Sequence, residues 1–238
     1  MSIDSDKVKL LLRSSDLAAI QQCLDDIAAA ESSYSENSAA EQELVLKLQV
    51  MLHSRKLTVQ QTEKASPEEL AVTYRRVATL WMRSGESEKA IGQLQKALSL
   101  VGADATTLQL LARAQINLSK YDAAIETQEK AIEVIAPTSG ENADPLARAL
   151  VLLANIYEAK GEFEQAIAVL EKAAVLDALA DMVQAEIQGK LGVICEKVGK
   201  EEQAVVALTK AYDLYSRQKG EAYYKTQEMA YLLEMASS

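Results

Sequence analysis

Apolar residues recur at every third or fourth position through most of the chain, the spacing that puts one face of a helix in a core and the other in water. From about residue 71 onward these runs are interrupted at regular intervals. A small residue closes a run at Gly85, Ser119, Gly161 and Gly199, and an Ala follows five residues later at Ala90, Ala124, Ala166 and Ala204. A second Ala comes seven further on, at Ala97, Ala131, Ala173 and Ala211, and the steps between units are 34, 42 and 38 residues. Each unit reads as two helices joined by a tight turn, with four units in phase between residues 71 and 219.

Punctuation supports the same reading. Ser66-Pro67-Glu68-Glu69 combines an N-cap, a proline at the first helical position and a capping-box acid, and Asp104 and Asp144-Pro145 read as similar starts. Ahead of the first unit the pattern predicts a short helix over 7–13 and then, in SSDLAAIQQCLDDIAA, a degenerate second helix of a repeat. A longer amphipathic helix follows over 39–62, with Leu44, Leu48, Met51 and Leu52 on one side. Between them ESSYSENSAA (31–40) is the most polar stretch and reads as a flexible loop. The last segment, EAYYKTQEMAYLLEMA (221–236), reads as one helix covering the final unit's apolar face. The predicted domain plan is N-terminal helices over 1–62, four units within 66–219 (about 71–104, 105–146, 147–184 and 185–220), and a cap and tail over 221–238.

Inside each unit the sizes of the side chains are patterned too. Tyr74, Val77-Ala78 and Trp81 precede Ala90, Leu94 and Ala97; Leu108 and Leu111-Ala112 precede Tyr121, Ala124 and Ala131. Leu150, Leu153-Ala154, Tyr157 and Phe163 precede Ala166, Leu170 and Ala173. Leu191-Gly192 precedes Ala204, Leu208 and Ala211, with Cys195 in place of an aromatic. The small residues let two antiparallel helices approach closely, and the large ones fill the groove between units. The pattern resembles the tetratricopeptide repeat (TPR) family over about 60% of the chain. That resemblance implies an all-α, right-handed superhelical solenoid of antiparallel helix pairs with a C-terminal capping helix, the first helix of each pair lining a concave face. The 42-residue step, produced by the loop APTSGENADPLA (136–147), and KAYDLYSRQKGEA (210–222) are similar to the kinesin light chain type of unit. That type carries paired Asn residues on its concave helices, where this chain has Leu150-Val151-Leu152-Leu153 and a single polar Asn155.

Composition narrows the function. With 9 Gly and 3 Pro in 238 residues there is little room for hairpins or glycine-rich phosphate loops, and 49% hydrophobic residues suffice for a core without disulfides. A formal net charge of −10 disfavours a nucleic-acid partner. No run of apolar residues is long enough for a membrane span, and the start, Met-Ser-Ile-Asp-Ser-Asp-Lys, lacks the basic and apolar blocks of a secretory signal. Cys23 and Cys195 are isolated, so a reducing, intracellular (cytoplasmic) setting is expected. His53 is the single histidine, which leaves no metal-ligand cluster or HExxH motif, and no GxGxxG, GxxxxGK[ST] or GxSxG occurs. His53, Cys23 and Cys195 read as packing residues, and acid pairs such as Asp25-Asp26, Glu68-Glu69 and Glu201-Glu202 as first-turn or solvent-face residues. No catalytic residue, cofactor or metal is expected.

The resemblance implies that Arg75, Arg83, Arg113, Asn117, Arg148, Asn155 and Lys197 face the groove, against Glu158, Glu186 and Glu196. Four arginines on one face of an acidic chain suit carboxylates or phosphates. The expected role is a non-catalytic adaptor or scaffold, its groove receiving an extended acidic or phosphorylated segment of a partner protein. The clamp with which chaperone-binding TPR proteins hold a C-terminal carboxylate is matched only by Arg75 and Arg148, so no such clamp is expected. The alternative is a structural subunit of a large multiprotein complex, for example cytoskeletal or trafficking, held through its convex face and terminal helices. In that case the Tyr-rich end (Tyr212, Tyr215, Tyr223, Tyr224, Tyr231) is a contact patch rather than packing for the cap.

Overall fold

A computed structural model describes residues 9–33, 39–140 and 142–236, all helix or connecting turn with no strand among them. The chain divides into two compact units, residues 1–119 and 120–238. The division falls between the two helices of the second repeat.

The first unit contains α1 (Leu17–Ser33), α2 (Ala39–Thr62), α3 (Pro67–Arg83), α4 (Ser87–Val101) and α5 (Ala105–Asn117). Ser66 caps α3 as its sequence requires: its hydroxyl accepts from the Glu69 amide at 3.2 Å while the Glu69 carboxylate accepts from the Ser66 amide at 3.1 Å. Asp104 caps α5, accepting from the Thr107 amide at 3.0 Å. Ala78, Ala90, Leu94 and Ala114 are fully buried where α3, α4 and α5 meet, with Trp81 and Ile91 packed against them. The α1–α2 core is built from Ile20, Leu24, Ile27, Leu52 and Val59.

That core corrects the face expected for α2. Leu44 and Met51 are 55% and 47% exposed, and the buried seam is Leu48, Leu52 and Val59. At 100° per residue Leu44 and Met51, seven apart, share a line that lies beside this seam rather than on it. A second buried side of α2 meets α3, where Thr73 donates to Gln60 at 2.7 Å and Gln61 donates to the Tyr74 hydroxyl at 2.8 Å. A helix packed on two sides has no single apolar face to read. The expected 31–40 loop is shorter at both ends, since α1 runs to Ser33 and α2 starts at Ala39; residues 34–38 lie outside the described residues. Of the short helix expected over 7–13, residues 9–11 are helical and 7–8 lie outside the described residues.

The second unit contains α6 (Tyr121–Ile135), a 3₁₀ turn (Ala136–Thr138), α7 (Asp144–Lys160), α8 (Phe163–Ala174), α9 (Asp181–Lys197), α10 (Glu201–Lys219) and α11 (Tyr224–Ala236). Asp144 opens α7 but does not cap it. Its carboxylate accepts instead from the Ala180 amide at 2.9 Å, tying the start of α7 to the turn before α9. The α9–α10 pair approaches closely at Gly192, where an added Cβ would lie 2.6 Å from Leu208 Cγ. Met229 of α11 joins Ala185, Leu208, Ala211 and Tyr215 in one buried cluster, so α11 covers the last pair. Among the tyrosines of this end, Tyr215 is buried and stacks at a tilt on Tyr223, while Tyr224 and Tyr231 are 65% and 61% exposed.

Candidate protein-binding surface

The seven expected groove residues fall in two groups. Arg75, Arg83, Arg113 and Asn117 lie on α3 and α5 of the first unit; Arg148, Asn155 and Lys197 lie on α7 and α9 of the second.

In the first unit Arg75 is already committed. Its guanidinium donates to Asp104 at 2.7 Å and to the Thr107 hydroxyl at 3.2 Å, and its side chain is only 23% exposed. Burial by itself raises the Asp104 carboxyl, but hydrogen bonds from Thr107 and the charge of Arg75 outweigh it and hold the group below the ordinary carboxylate value. The cap of α5 and the ion pair to α3 thus share one carboxylate. Arg83 lies exposed in the last turn of α3. Asn117 donates to the Ser87 hydroxyl at 3.2 Å, linking the end of α5 to the start of α4. Arg113 is exposed on α5, with no carboxylate at ion-pairing distance among the described residues.

In the second unit the facing sides of α7 and α9 hold a ladder of charge. Glu158 accepts from both Lys190 and Lys197 at 2.5 Å, and these bonds outweigh its partial burial and keep its carboxyl below the usual range. Arg148 meets Glu186 at 3.4 Å, a long contact between side chains 59% and 42% exposed. Asn155 stands on α7 between these pairs, and its buried Oδ1 accepts no hydrogen bond among the described residues. Arg148 and Asn155 are the groups here with capacity to spare.

Nothing in this arrangement resembles a catalytic constellation. Among the described residues no group of three or more His, Cys, Asp or Glu converges to hold a metal. Burial, with the nearby charges of Arg76 and Lys56, lowers the His53 pKa to about 4, so the ring is neutral in neutral solution. Cys23 and Cys195 are buried and in no disulfide, and burial pushes the Cys195 thiol up, away from the thiolate a nucleophile needs. No described helix is long and apolar enough to cross a membrane.

The sequence reading missed the Asp104–Arg75 pair and a groove on the other side of the second unit, between α8 and α10. The groove has a volume of about 670 Å³, with Gln188 and Cys195 on its floor and Val175 and Val206 on its rims. Its only signal in the sequence was Cys195 at a position where the pattern carries an aromatic.

Residues 103–174 match the family model described as tetratricopeptide repeat. Among curated proteins the chain is 28% identical over 111 residues to Protein KINESIN LIGHT CHAIN-RELATED 3 of Arabidopsis thaliana, an alignment covering 44% of this chain and 17% of that protein. The chain thus spans less than a fifth of that relative. Among solved structures, BtubC (BKLC) from P. vanneervenii superposes with a TM-score of 0.66 at 20% identity, covering 84% of each chain. A putative kinesin light chain of Podosopora anserina with nearly identical TPR-like repeats gives 0.62 at 15% identity, covering 90% of this chain and 95% of that one. MamA from Desulfovibrio magneticus RS-1 gives 0.58 at 21%, covering 90% and 98%. These structures share the fold, a solenoid of antiparallel helix pairs. Residues 103–174 thus match the tetratricopeptide repeat, in a chain whose fold is similar to that of kinesin light chain-like repeat proteins.

Proposed function

We propose that the chain is a non-catalytic scaffold in the cytoplasm whose first-helix faces receive an extended acidic or phosphorylated segment of a partner protein. The observation that supports this best is the Arg148–Glu186 contact. At 3.4 Å, with Arg148 more than half exposed, it holds Arg148 weakly, so a partner carboxylate or phosphate replaces Glu186 at little cost. Arg113, exposed on α5, is the equivalent group of the first unit. Arg75 is assigned to structure instead, because releasing it would uncap α5. The preformed helix faces keep the ordering cost of binding low.

The test is purification of partners from the native cell with the unaltered chain and with Arg113→Glu/Arg148→Glu, read by mass spectrometry. Loss of one dominant partner from the variant, with circular dichroism unchanged, is the expected result. An unchanged set of partners refutes the acidic-segment reading and favours attachment through the outer face and the ends. That second reading draws on exposed Val175 and Val206 of the outer face and exposed Tyr224, Tyr231 and Met235 of α11.

A further inference from the structure

The position three residues after the small helix-packing residue is Trp81 in the first repeat, Gln115 in the second, Tyr157 in the third and Cys195 in the fourth. The position four before it is Tyr74, Leu108, Leu150 and then Gln188. The fourth repeat alone has the small cysteine at the first place and a polar residue at the second. Tyr157 and Cys195 occupy equivalent niches. Tyr157 lies within electrostatic reach of Glu129 on α6 and of Glu162, and Cys195 of Glu171 on α8 and of Lys200, each one repeat further on. Where Tyr157 fills its niche, Cys195 leaves the 670 Å³ groove between α8 and α10.

The lining tells what fits. The floor is closed by Cys195, fully buried, and Gln188, 6% exposed, and the lips are apolar, with Val175 79% and Val206 56% exposed. Two exposed valines in the lining of a groove whose floor carries a cysteine where other repeats have an aromatic suit a flat apolar ring. Gln184, whose Nε2 donates to the Ala174 carbonyl at 3.2 Å, and Gln203, whose Oε1 accepts from the Cys195 thiol at 3.9 Å, lie within the same lining, and the Gln184 oxygen and the Gln203 nitrogen can bond the main chain on either side of that ring. Glu171 and Glu202 stand at the mouth, against Lys210. Residues 120–238 also hold 20 of the 35 acidic side chains but only 12 of the 25 basic ones, so a cation beside the ring is favoured over an anion.

We propose that the groove between α8 and α10 receives an aromatic side chain from a basic segment of a partner protein, which restores in trans the residue the fourth repeat lacks. This surface is separate from the α7–α9 face and independent of the reading given for it.

Two-dimensional NMR of the full chain during titration with the peptide acetyl-Lys-Ala-Trp-Ala-Lys-amide tests this. Saturable shifts are expected at the amides of Gln188, Cys195, Gln203 and Val206, with none from the same peptide carrying Ala for Trp. The Glu-flanked version should bind about fivefold more weakly. Cys195→Tyr, which fills the niche from within, abolishes the shifts. Val206→Lys, on an exposed lip where folding is not at stake, weakens binding at least about fivefold, and Arg113→Glu/Arg148→Glu leaves it unchanged. The proposal is overturned if the groove resonances stay fixed up to about 5 mM peptide, if Cys195→Tyr binds as well as the unaltered chain, or if the Ala peptide binds equally. It is also overturned if the groove resonances broaden with protein concentration before peptide is added, which would assign the groove to a second copy.

Discussion

Gly192 gives the sharpest test of the packing argument, because another glycine on the same helix serves as its control. At Gly192 a methyl group would lie 2.6 and 2.8 Å from Leu208 Cγ and Cδ2 and 3.2 Å from the Leu208 amide nitrogen. Leu208 is fully buried and has nowhere to retreat. At Gly189 the nearest atom is Met229 Sδ at 3.2 Å, part of a flexible side chain on α11. In a helix interior Gly→Ala is intrinsically favourable by about 0.8–1 kcal/mol, and that gain is common to both sites. Overpacking opposes it at Gly192 by about 1–3 kcal/mol and hardly at all at Gly189. Gly189→Ala should therefore be neutral or slightly stabilising, and Gly192→Ala should be less stable than it by about 1–3 kcal/mol. For a chain of this size that separates the two melting temperatures by about 2–12 °C. Thermal melts by circular dichroism read this, with amide exchange of α9 and α10 locating the loss, since repeat arrays need not unfold in one step. Leu208→Ala should recover stability when combined with Gly192→Ala, relative to the sum of the single changes. Equal stability of the two Ala variants, or no coupling to Leu208, refutes the close approach.

Three further outcomes follow from the same structure. Gln128 is fully buried where the other repeats have Leu94, Leu170 and Leu208; its Nε2 donates to the Ala149 carbonyl at 2.7 Å but its Oε1 is unpartnered among the described residues. Gln128→Leu should stabilise the second unit by about 1 kcal/mol in urea melts, and a loss of that size would mean the oxygen is satisfied in solution. Asp104→Ala removes a cap and an ion pair together and should cost about 1–2 kcal/mol, whereas Asp104→Asn, which keeps the cap, should cost less than half as much. For His53 the folded pKa of about 4 lies below the ordinary 6.5, so the unfolded chain binds the proton first. The stability of the first unit is thus fully present above pH 6.5 and falls as pH drops towards 4, by about 2 kcal/mol for this half-buried ring. His53→Gln should flatten that part of the pH profile in chemical denaturation, and an unchanged profile would show that the ring is not what titrates.

Much of this protein can be read one turn at a time. The Ser66 capping box, the Asp104 cap and the paired alanines of each repeat depend on residues three to seven apart, within the reach of a single helix end or face. The two caps were therefore settled before any helix met another. Cys195 likewise stood out in the sequence as a missing aromatic, although only packing turned its lost volume into a groove.

What the chain alone left open depends on which helices touch. Whether Arg75 is available was decided by a carboxylate 29 residues away, and Asp144 lost its expected capping role to an amide 36 residues away. The buried seam of α2 was set by having neighbours on both sides, which erases the one-sided pattern a lone amphipathic helix would show. A helix and its caps follow from local spacing because their hydrogen bonds close within four residues. Which charges are spent within the fold, and which remain for a partner, follows only from long-range packing.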